Sequence, residues 1–224
     1  MSVNTTGYTL LKKDKLAINR IHWPVTTLGH GRRIGIWVQG CSIHCPGCCS
    51  SDTWESDGSK QIAIPDLLGW LTERVPETPD GITITGGEPF DQPEALATLI
   101  PSLRNQYGEE TDILVYSGYP WKRLQSRFPH ILELIDVVVA EPFKSSRPVA
   151  WLRGSNNQEI YALTPLGSSR YKQNRAAQQK KTIQMHYDGQ RMWLIGIPHR
   201  GDLHRLETLL SESGIGIEDV SWRS

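Results

Sequence analysis

Residues 41–49 read Cys-Ser-Ile-His-Cys-Pro-Gly-Cys-Cys and contain every cysteine of the chain. Three of them, Cys41, Cys45 and Cys48, are spaced Cys-x-x-x-Cys-x-x-Cys and closely follow an apolar run at 34–38. An ordinary four-iron cluster takes one protein thiolate for each iron. Three thiolates would hold three irons and leave the fourth open to a substrate, much as catalytic zinc sites keep one position open. The spacing therefore predicts a redox cluster with an open iron.

A structural zinc site is the alternative interpretation of this loop. Cys45 and Cys48 would be joined by Cys41 and by either His44 or Cys49. A zinc knuckle normally uses two separated pairs of ligands, and the chain lacks the second pair. We favour the iron–sulfur cluster, with Cys49 as a spare thiol.

Composition limits the remaining possibilities. The chain has 224 residues, which suits one α/β domain with a small appendage. Lys+Arg and Asp+Glu both number 24, so the net charge is +0 and nucleic-acid binding through bulk charge is disfavoured. The sequence shows neither a signal peptide nor an apolar run of the ~20 residues that span a bilayer. We expect a cytoplasmic protein without membrane contact, in which disulfides are disfavoured.

Apolar runs that alternate with helical patterns predict the fold class. The predicted strands are 16–19, 34–38, 81–85, 112–116, 136–140 and 158–163, and the predicted helices are 64–75, 93–99 and 121–128. We expect Pro101 to kink or break the helix that precedes it. Strands that alternate with helices favour parallel βα units, and ligand sites in such sheets lie beyond the carboxyl ends of the strands, where the cysteine loop falls.

The composition changes after residue 165. Residues 166–181 are polar and basic and predict a linker or exposed loop after a core domain at 1–165. Residues 182–224 predict a small C-terminal unit, in which Asp188-Gly189 joins two strands of a hairpin. A helix from Asp202 to Gly214 and a strand at 215–222 would follow the hairpin.

Three polar motifs at strand ends are candidates for cofactor contacts. Gly86-Gly87-Glu88-Pro89 would let backbone approach a ligand closely and add a carboxylate that accepts from an ammonium group. Ser117 could bind a ribose, although a plain turn is equally compatible with its position. Arg153 could bind a carboxylate, and a solvated loop is the alternative there.

Several segments resemble one known family in the same order along the chain. They are GCSIHCPGCCSSDTW at 40–54, TGGEP at 85–89, YSGY at 116–119, IDVVVAEPF at 135–143 and LRGSNNQ at 152–158. Together they resemble the activating enzymes of anaerobic ribonucleoside-triphosphate reductase, which are small radical S-adenosylmethionine (SAM) proteins. The likeness covers roughly residues 16–165. It implies a partial (β/α) barrel of mainly parallel strands.

The resemblance also implies which residues bind the cofactors. Cys41, Cys45 and Cys48 would bind a 4Fe-4S cluster, while Gly47, Cys48, Cys49 and Gly87 would contact SAM, mostly through backbone. Gly86, Glu88, Ser117 and Arg153 complete the candidate SAM contacts. The chain departs from the family at Glu88, where Asp is common, at Ala140 and Glu141, which replace an Asp-Gly pair, and at Cys49, which replaces an aromatic residue.

An activity follows from the resemblance as an expectation. Flavodoxin or ferredoxin would reduce the cluster, SAM would be cleaved to methionine and a 5′-deoxyadenosyl radical, and the radical would abstract hydrogen from a glycine of a partner glycyl radical enzyme. One alternative is a radical SAM enzyme that modifies another peptide or a small molecule, with the C-terminal unit as its recognition module. The other is a non-catalytic iron–sulfur or zinc protein.

Overall fold

The computed structural model describes residues 14–172, 183–216 and 220–222. Its strands are β1 (Lys15–Val25), β2 (Arg33–Val38), β3 (Gln61–Ala63), β4 (Gly81–Gly86), β5 (Asp112–Tyr116), β6 (Val137–Ala140), β7 (Glu159–Ala162), β8 (Ile183–Tyr187) and β9 (Met192–Gly196). Its helices are α1 (Ile64–Arg74), α2 (Pro93–Tyr107), α3 (Trp121–Arg127), α4 (Pro129–Leu132), α5 (Pro165–Tyr171) and α6 (Asp202–Glu212). None of these described helices combines the length and apolar composition needed to cross a bilayer.

The first seven strands form one sheet in the order β3-β1-β2-β4-β5-β6-β7. The four strands from β2 to β6 in that order are parallel, whereas β1, β3 and β7 pair antiparallel with their neighbours. The predicted α/β class, with a mainly parallel centre, is therefore confirmed. Parallel pairing brings the carboxyl ends of β2, β4, β5 and β6 to one edge of the sheet, where ligands bind in open α/β folds.

Helices cover one face of this sheet. The sequence of β2 suits a strand at the centre of the sheet. All six residues of β2 are buried, as expected for a strand that is covered on both faces. Ile34, Ile36 and Val38 point to the helices and share a core with Leu67 and Leu71 of α1. This packing holds the start of the cysteine loop against a rigid support.

The C-terminal hairpin β8–β9 covers the other face of the sheet near β1 and β2. Trp37 lies on the face opposite Ile34 and Ile36 and packs in a second cluster with Val25, Leu28 and Ile195. The Gln184 amide extends this contact, because its Nε2 donates to the Pro24 carbonyl oxygen at 2.6 Å. The hairpin predicted around Asp188-Gly189 is thus present and is packed against the sheet.

A buried ion pair lies on the same face as Trp37, at the amino ends of the parallel strands. Arg33 and Asp112 are both 0% exposed and meet at 2.7 Å. Arg170 and Tyr171 reach the same carboxylate from α5, at 2.7 Å and 3.0 Å. The sequence predicted a linker or exposed loop at 166–181, but residues 166–171 belong to α5. Residues 173–182 lie outside the described chain. The polar sequence of α5 concealed a packed helix because its polar side chains pair with a buried charge.

Two further expectations differ from the structure. Helix α2 continues through Pro101 to Tyr107, because the helix buries Ile100 and Leu103 on either side of the exposed proline. Burial of such side chains contributes ~1.5–3 kcal/mol each, which together offsets the ~3 kcal/mol cost of an interior proline. The strand predicted at 215–222 is not formed by residues 215–216 or 220–222, and 217–219 lie outside the described residues.

Candidate functional site

The cysteine loop is fastened at both of its ends. It leaves the carboxyl end of β2, where the Gly40 N–H donates to the Thr53 carbonyl oxygen at 2.8 Å and the Cys41 N–H donates to Trp54 at 2.9 Å. These hydrogen bonds close residues 41–52 into a compact loop at the ligand-binding edge of the sheet. Within the loop, the Cys48 N–H donates to the Cys45 carbonyl oxygen at 3.1 Å. The spacing of the last two candidate ligands is therefore set by a hydrogen-bonded turn.

The four cysteines are free thiols with different exposure. Cys41, Cys45 and Cys48 are partly buried, whereas Cys49 is exposed. Burial raises the pKa of Cys48 to about 12, and the neighbouring thiols of Cys49 and Cys45 add to the shift. Burial also raises the pKa of Cys41 and Cys45, and the Glu88 carboxylate raises both further. The three thiols are therefore protonated near neutral pH, and metal binding must displace their protons.

The loop offers three partly buried thiols, a donor set that suits an iron–sulfur cluster. Across the described residues, no three His, Cys, Asp or Glu side chains converge closely enough to hold one ion. A cubane cluster has a different requirement, because each thiolate binds its own iron. His44, the possible fourth zinc ligand, is exposed and stacks on Trp54 with the ring centroids 4.8 Å apart.

The Gly86-Gly87 pair brings the end of β4 against the cysteine loop. The Gly87 N–H donates to the Val38 carbonyl oxygen at 2.9 Å, and the Glu88 N–H donates to that of Gly40 at 2.9 Å. A Cβ atom at Gly87 would lie 2.1 Å from the Gly40 oxygen, so a side chain cannot fit. In the structure the close approach that glycine permits is to the loop backbone. The predicted contacts of Gly86 and Gly87 with SAM stay predictions.

Glu88 is a buried carboxylate with protein partners on both oxygens. Oε1 accepts from the Phe90 N–H at 3.0 Å and from the Ser117 hydroxyl at 2.8 Å, and Oε2 accepts from the Gly118 N–H at 2.8 Å. Burial raises the pKa of Glu88 to about 7, against the effect of these three donors. The side chain joins the ends of β4 and β5, and its predicted contact with SAM stays a prediction.

Ser117 and Arg153 also lie at this edge of the sheet. The Ser117 hydroxyl, besides donating to Glu88, accepts from the Tyr119 N–H at 3.0 Å. The Tyr116 hydroxyl donates to the Leu152 carbonyl oxygen at 3.0 Å and so brings the segment with Arg153 beside the end of β5. Arg153 donates from Nη1 to the Gln158 carbonyl oxygen at 2.9 Å, while its buried Nε has no partner among the described atoms. Among the described residues with a buried donor that lacks a partner, Arg153 is the one that the sequence predicts to bind a carboxylate.

Gly47 packs against the segment that follows β6. Its φ is 77°, which favours glycine, and a Cβ there would lie 3.2 Å from the Cβ of Ser145. The Phe143 backbone also acts on Cys45, whose pKa it lowers against the larger effect of burial. The other four segments named in the sequence therefore lie around the cysteine loop, at the carboxyl-end edge.

A polar network that the sequence did not indicate contacts the residue next to Cys41, the first candidate ligand. Asp91 accepts from the Ser42 N–H at Oδ2 (2.7 Å), and its Oδ1 lies 3.0 Å from the Ser42 hydroxyl and 2.5 Å from the Tyr119 phenol. The two hydroxyl oxygens are 2.9 Å apart. Ser42 directly follows Cys41, so the network joins the cysteine loop to the segments that follow β4 and β5. The only signal in the sequence was the position of each residue beside a motif.

Comparisons with known proteins show the family to which the chain belongs. The family described as "4Fe-4S single cluster domain" matches residues 27–161. An anaerobic ribonucleoside-triphosphate reductase-activating protein from Pasteurella multocida is 31% identical over 150 residues, 61% of this chain and 90% of that protein. A pyruvate formate-lyase-activating enzyme from Clostridium pasteurianum is 32% identical over 113 residues, 49% of this chain and 47% of that protein. QueE from Escherichia coli has a TM-score of 0.40 at 22% identity, over 46% of this chain and 53% of that one.

The parallel sheet and the cysteine loop at its ligand-binding edge define an iron–sulfur enzyme of the radical SAM class. The chain belongs to the 4Fe-4S single cluster domain family and is similar to the activating proteins of anaerobic ribonucleoside-triphosphate reductase. The resemblance found in the sequence is thereby confirmed, and with it the expected 4Fe-4S cluster and SAM.

Proposed function

We propose that this chain generates a glycyl radical on a partner enzyme such as anaerobic ribonucleoside-triphosphate reductase. The supporting observation is the similarity to activating proteins over 61% of the chain, together with a cysteine loop fastened at the carboxyl end of β2. When bound, a 4Fe-4S cluster and SAM supply the one-electron cleavage of a sulfur–carbon bond, which yields methionine and a 5′-deoxyadenosyl radical.

The residues of the chain would hold these groups in fixed geometry. Cys41, Cys45 and Cys48 are the proposed cluster ligands. SAM would contact the backbone of Gly47, Cys48, Cys49, Gly86 and Gly87, together with the side chains of Glu88, Ser117 and Arg153. Glu88 would keep the ends of β4 and β5 together whether or not it touches SAM, because both of its oxygens accept from the protein. A site held this firmly limits the entry of water and of stray hydrogen donors.

The electron would come from a small carrier protein such as flavodoxin or ferredoxin. The radical step itself needs no acid or base from the protein.

A second candidate function is the modification of another peptide or of a small molecule. The C-terminal unit supports it, because this unit lies beyond the region that resembles the activating proteins and contacts the site. The Ser51 hydroxyl donates to the Ser221 carbonyl oxygen at 2.7 Å, and the Ser221 hydroxyl donates to that of Cys49 at 3.4 Å. A recognition unit in that position would touch both the substrate and the cysteine loop.

The test is anaerobic reconstitution followed by two assays. Iron and sulfide analysis, electron paramagnetic resonance and release of 5′-deoxyadenosine report on the cluster and on SAM cleavage. Mixing with a candidate reductase and SAM should then produce a glycine-centred doublet. SAM cleavage without a doublet, when the partner is competent with another activating protein, would favour the second candidate. A colourless protein that holds zinc and releases no 5′-deoxyadenosine would contradict both.

A further inference from the structure

Helix α3 is a concentrated source of positive charge on a neutral protein. Its 7 residues read WKRLQSR and include Lys122, Arg123 and Arg127, all of them exposed, with no acidic residue. His130 follows in α4 and is exposed as well. The net charge of the whole chain is +0, so this helix is a local departure from the average.

Seven of the described arginines have a carboxylate partner, whereas the cations of α3 do not. Arg20, Arg32, Arg33, Arg74, Arg104, Arg153 and Arg170 each lie within 4.0 Å of an acidic oxygen. Within the described residues no such contact is made by Lys122, Arg123 or Arg127. Their charge is not cancelled by a close partner, and it projects into solvent.

The helix lies close to the cysteine loop. The Arg123 guanidinium carbon is 3.7 Å from the centre of the Tyr119 ring, and the Tyr119 phenol is 2.9 Å from the Ser42 hydroxyl. Ser42 is the neighbour of Cys41 in the chain. The side chains of Arg123 and Tyr119 therefore connect α3 with Ser42, the residue next to a proposed cluster ligand.

An open groove beside α3 supplies a surface on which a partner could rest. It has a volume of about 430 Å³ and lies between the first turns of α2 and the α3–α4 junction. Arg127, Phe128 and His130 form one side, and Glu94 and Ala97 of α2 lie on the other. Glu94 is the acidic member of this lining, so the groove combines an aromatic ring with mostly basic polar groups.

We propose that the basic α3 face, which comprises Lys122, Arg123, Arg127 and His130, is the docking site of an acidic one-electron carrier protein. This inference rests on the proposed function, which requires such a carrier. When bound, the cluster would accept one electron from the carrier, and no bond would form or break and no proton would be exchanged. Complexes for electron transfer are small and weak, so complementary charge matters more than buried area. A surface whose groups all carry positive charge raises the on-rate of an acidic protein ~10- to 1,000-fold, and the effect falls steeply with salt.

The experiment compares two electron sources for the same reconstituted enzyme. Lys122→Glu/Arg127→Glu reverses the exposed charge and leaves Arg123, which stacks on Tyr119, unchanged. Arg32→Glu/Arg74→Glu is the control with an equal change of charge, placed at the opposite edge near the amino ends of β2 and β4. Release of 5′-deoxyadenosine is measured with dithionite and, separately, with a photoreduced acidic flavodoxin at low and high salt.

With flavodoxin at low salt, we expect kcat/KM of the α3 variant for the carrier to fall at least ~10-fold, and the loss to shrink at high salt. With dithionite its rate should stay within about twofold of the wild type, because this reductant needs no docking site. The control should follow the wild type with both reductants.

Three outcomes would overturn the docking site. The first is equal carrier dependence in the α3 variant and the control, and the second is a loss that does not respond to salt. The third is a loss confined to Lys144→Glu/Arg147→Glu, which alters exposed cations on the other side of the loop. Failure of the wild type with dithionite would count against the proposed function instead, so the two failures are distinguishable.

Discussion

The phenol oxygen of Tyr119 lies 2.5 Å from Oδ1 of Asp91, and both groups reach Ser42 beside the first proposed cluster ligand. Asp91 follows the turn after β4, and Tyr119 follows β5. Their contact therefore couples two strand ends to the cysteine loop. A loop that must offer three thiolates at defined positions benefits from being fixed before the metal arrives, because less conformational entropy is then lost on binding.

Removal of the Tyr119 hydroxyl should loosen the loop. Tyr119→Phe deletes a hydrogen bond to a carboxylate, which contributes ~1.5–3 kcal/mol. We expect lower stability toward urea and fewer irons retained after gel filtration of the reconstituted protein. Tyr107→Phe is the matched control, because the buried Tyr107 hydroxyl has no partner among the described atoms and its loss should be neutral or stabilising. Equal iron content in the two variants would show that the network does not position the loop.

The contact between Gly87 and Gly40 predicts a severe effect for a small substitution. In Gly87→Ala the new methyl group would lie 2.1 Å from the Gly40 oxygen, so the turn or the loop must move. We expect a loss of at least ~2 kcal/mol in the free energy of unfolding, as for other overpacked sites, and poor cluster retention. Gly69→Ala in α1 meets no atom within 4 Å and should instead stabilise the helix by ~0.5–1 kcal/mol. A Gly87→Ala variant as stable as Gly69→Ala would contradict the close approach.

Glu88 should give the stability a recognisable pH dependence. Its carboxyl has a pKa raised from 4.5 to about 7 in the fold, so the unfolded state ionises first as the pH rises. The contribution of Glu88 to stability is therefore full below its unfolded pKa and is lost as the pH rises through about 7. In Glu88→Gln the side chain does not titrate. Its amide nitrogen would face the Gly118 N–H, and this contact between two donors should lower the free energy of unfolding by ~1–3 kcal/mol.

Urea unfolding of both proteins across this range provides the measurement. The stability advantage of wild type over Glu88→Gln should be larger on the acidic side than on the alkaline side of the folded pKa. An advantage that grows with pH would mean that the three donors around the carboxylate outweigh its burial and hold the pKa low.

Local patterns in the sequence were enough to predict which segments meet at the candidate site, for physical reasons. The buried parallel strands are short apolar runs, and the chemistry follows each run directly, as with the cysteines after β2, Glu88 after β4 and Ser117 after β5. Because parallel strands bring their carboxyl ends together, residues that are far apart in sequence had to meet. The prediction needed no knowledge of individual contacts.

Other features of the structure depend on contacts between side chains that are distant in sequence, and local sequence patterns do not predict such contacts. Helix α5 is polar in sequence, yet Tyr171 is 3% exposed because its hydroxyl meets the buried Asp112. Pro101 predicted a kink or a break from local geometry, while the helix continues through it and buries Ile100 and Leu103. Asp91 directly follows the residues 86–89 and Phe90, but its bond to Ser42 depends on the fold of the loop, which the sequence pattern does not predict.

The Arg33–Asp112 pair predicts a large cost when one charge is removed. Both side chains are 0% exposed, and Asp112 also accepts from Arg170 and Tyr171. Asp112→Asn would leave the buried guanidinium without its counter-charge, which typically costs ~3–5 kcal/mol. Glu77→Gln makes the same chemical change in the exposed Arg32–Glu77 pair and should cost less than ~1 kcal/mol. Similar urea midpoints for the two variants would contradict the importance of this buried centre, which also anchors α5.

The assignment of the cluster ligands predicts unequal effects for two neighbouring cysteines. Cys45→Ala removes a proposed ligand, so the reconstituted protein should lose its iron, its visible absorption and its release of 5′-deoxyadenosine together. Cys49→Ala removes a thiol that the spacing leaves spare, and the iron content should match the wild type. Cys41→Ala and Cys48→Ala should behave as Cys45→Ala, because a cluster bound by three thiolates has no protein ligand in reserve. If Cys49→Ala is colourless while Cys41→Ala keeps its iron, the cluster is held by a different set of thiolates and the open iron lies elsewhere.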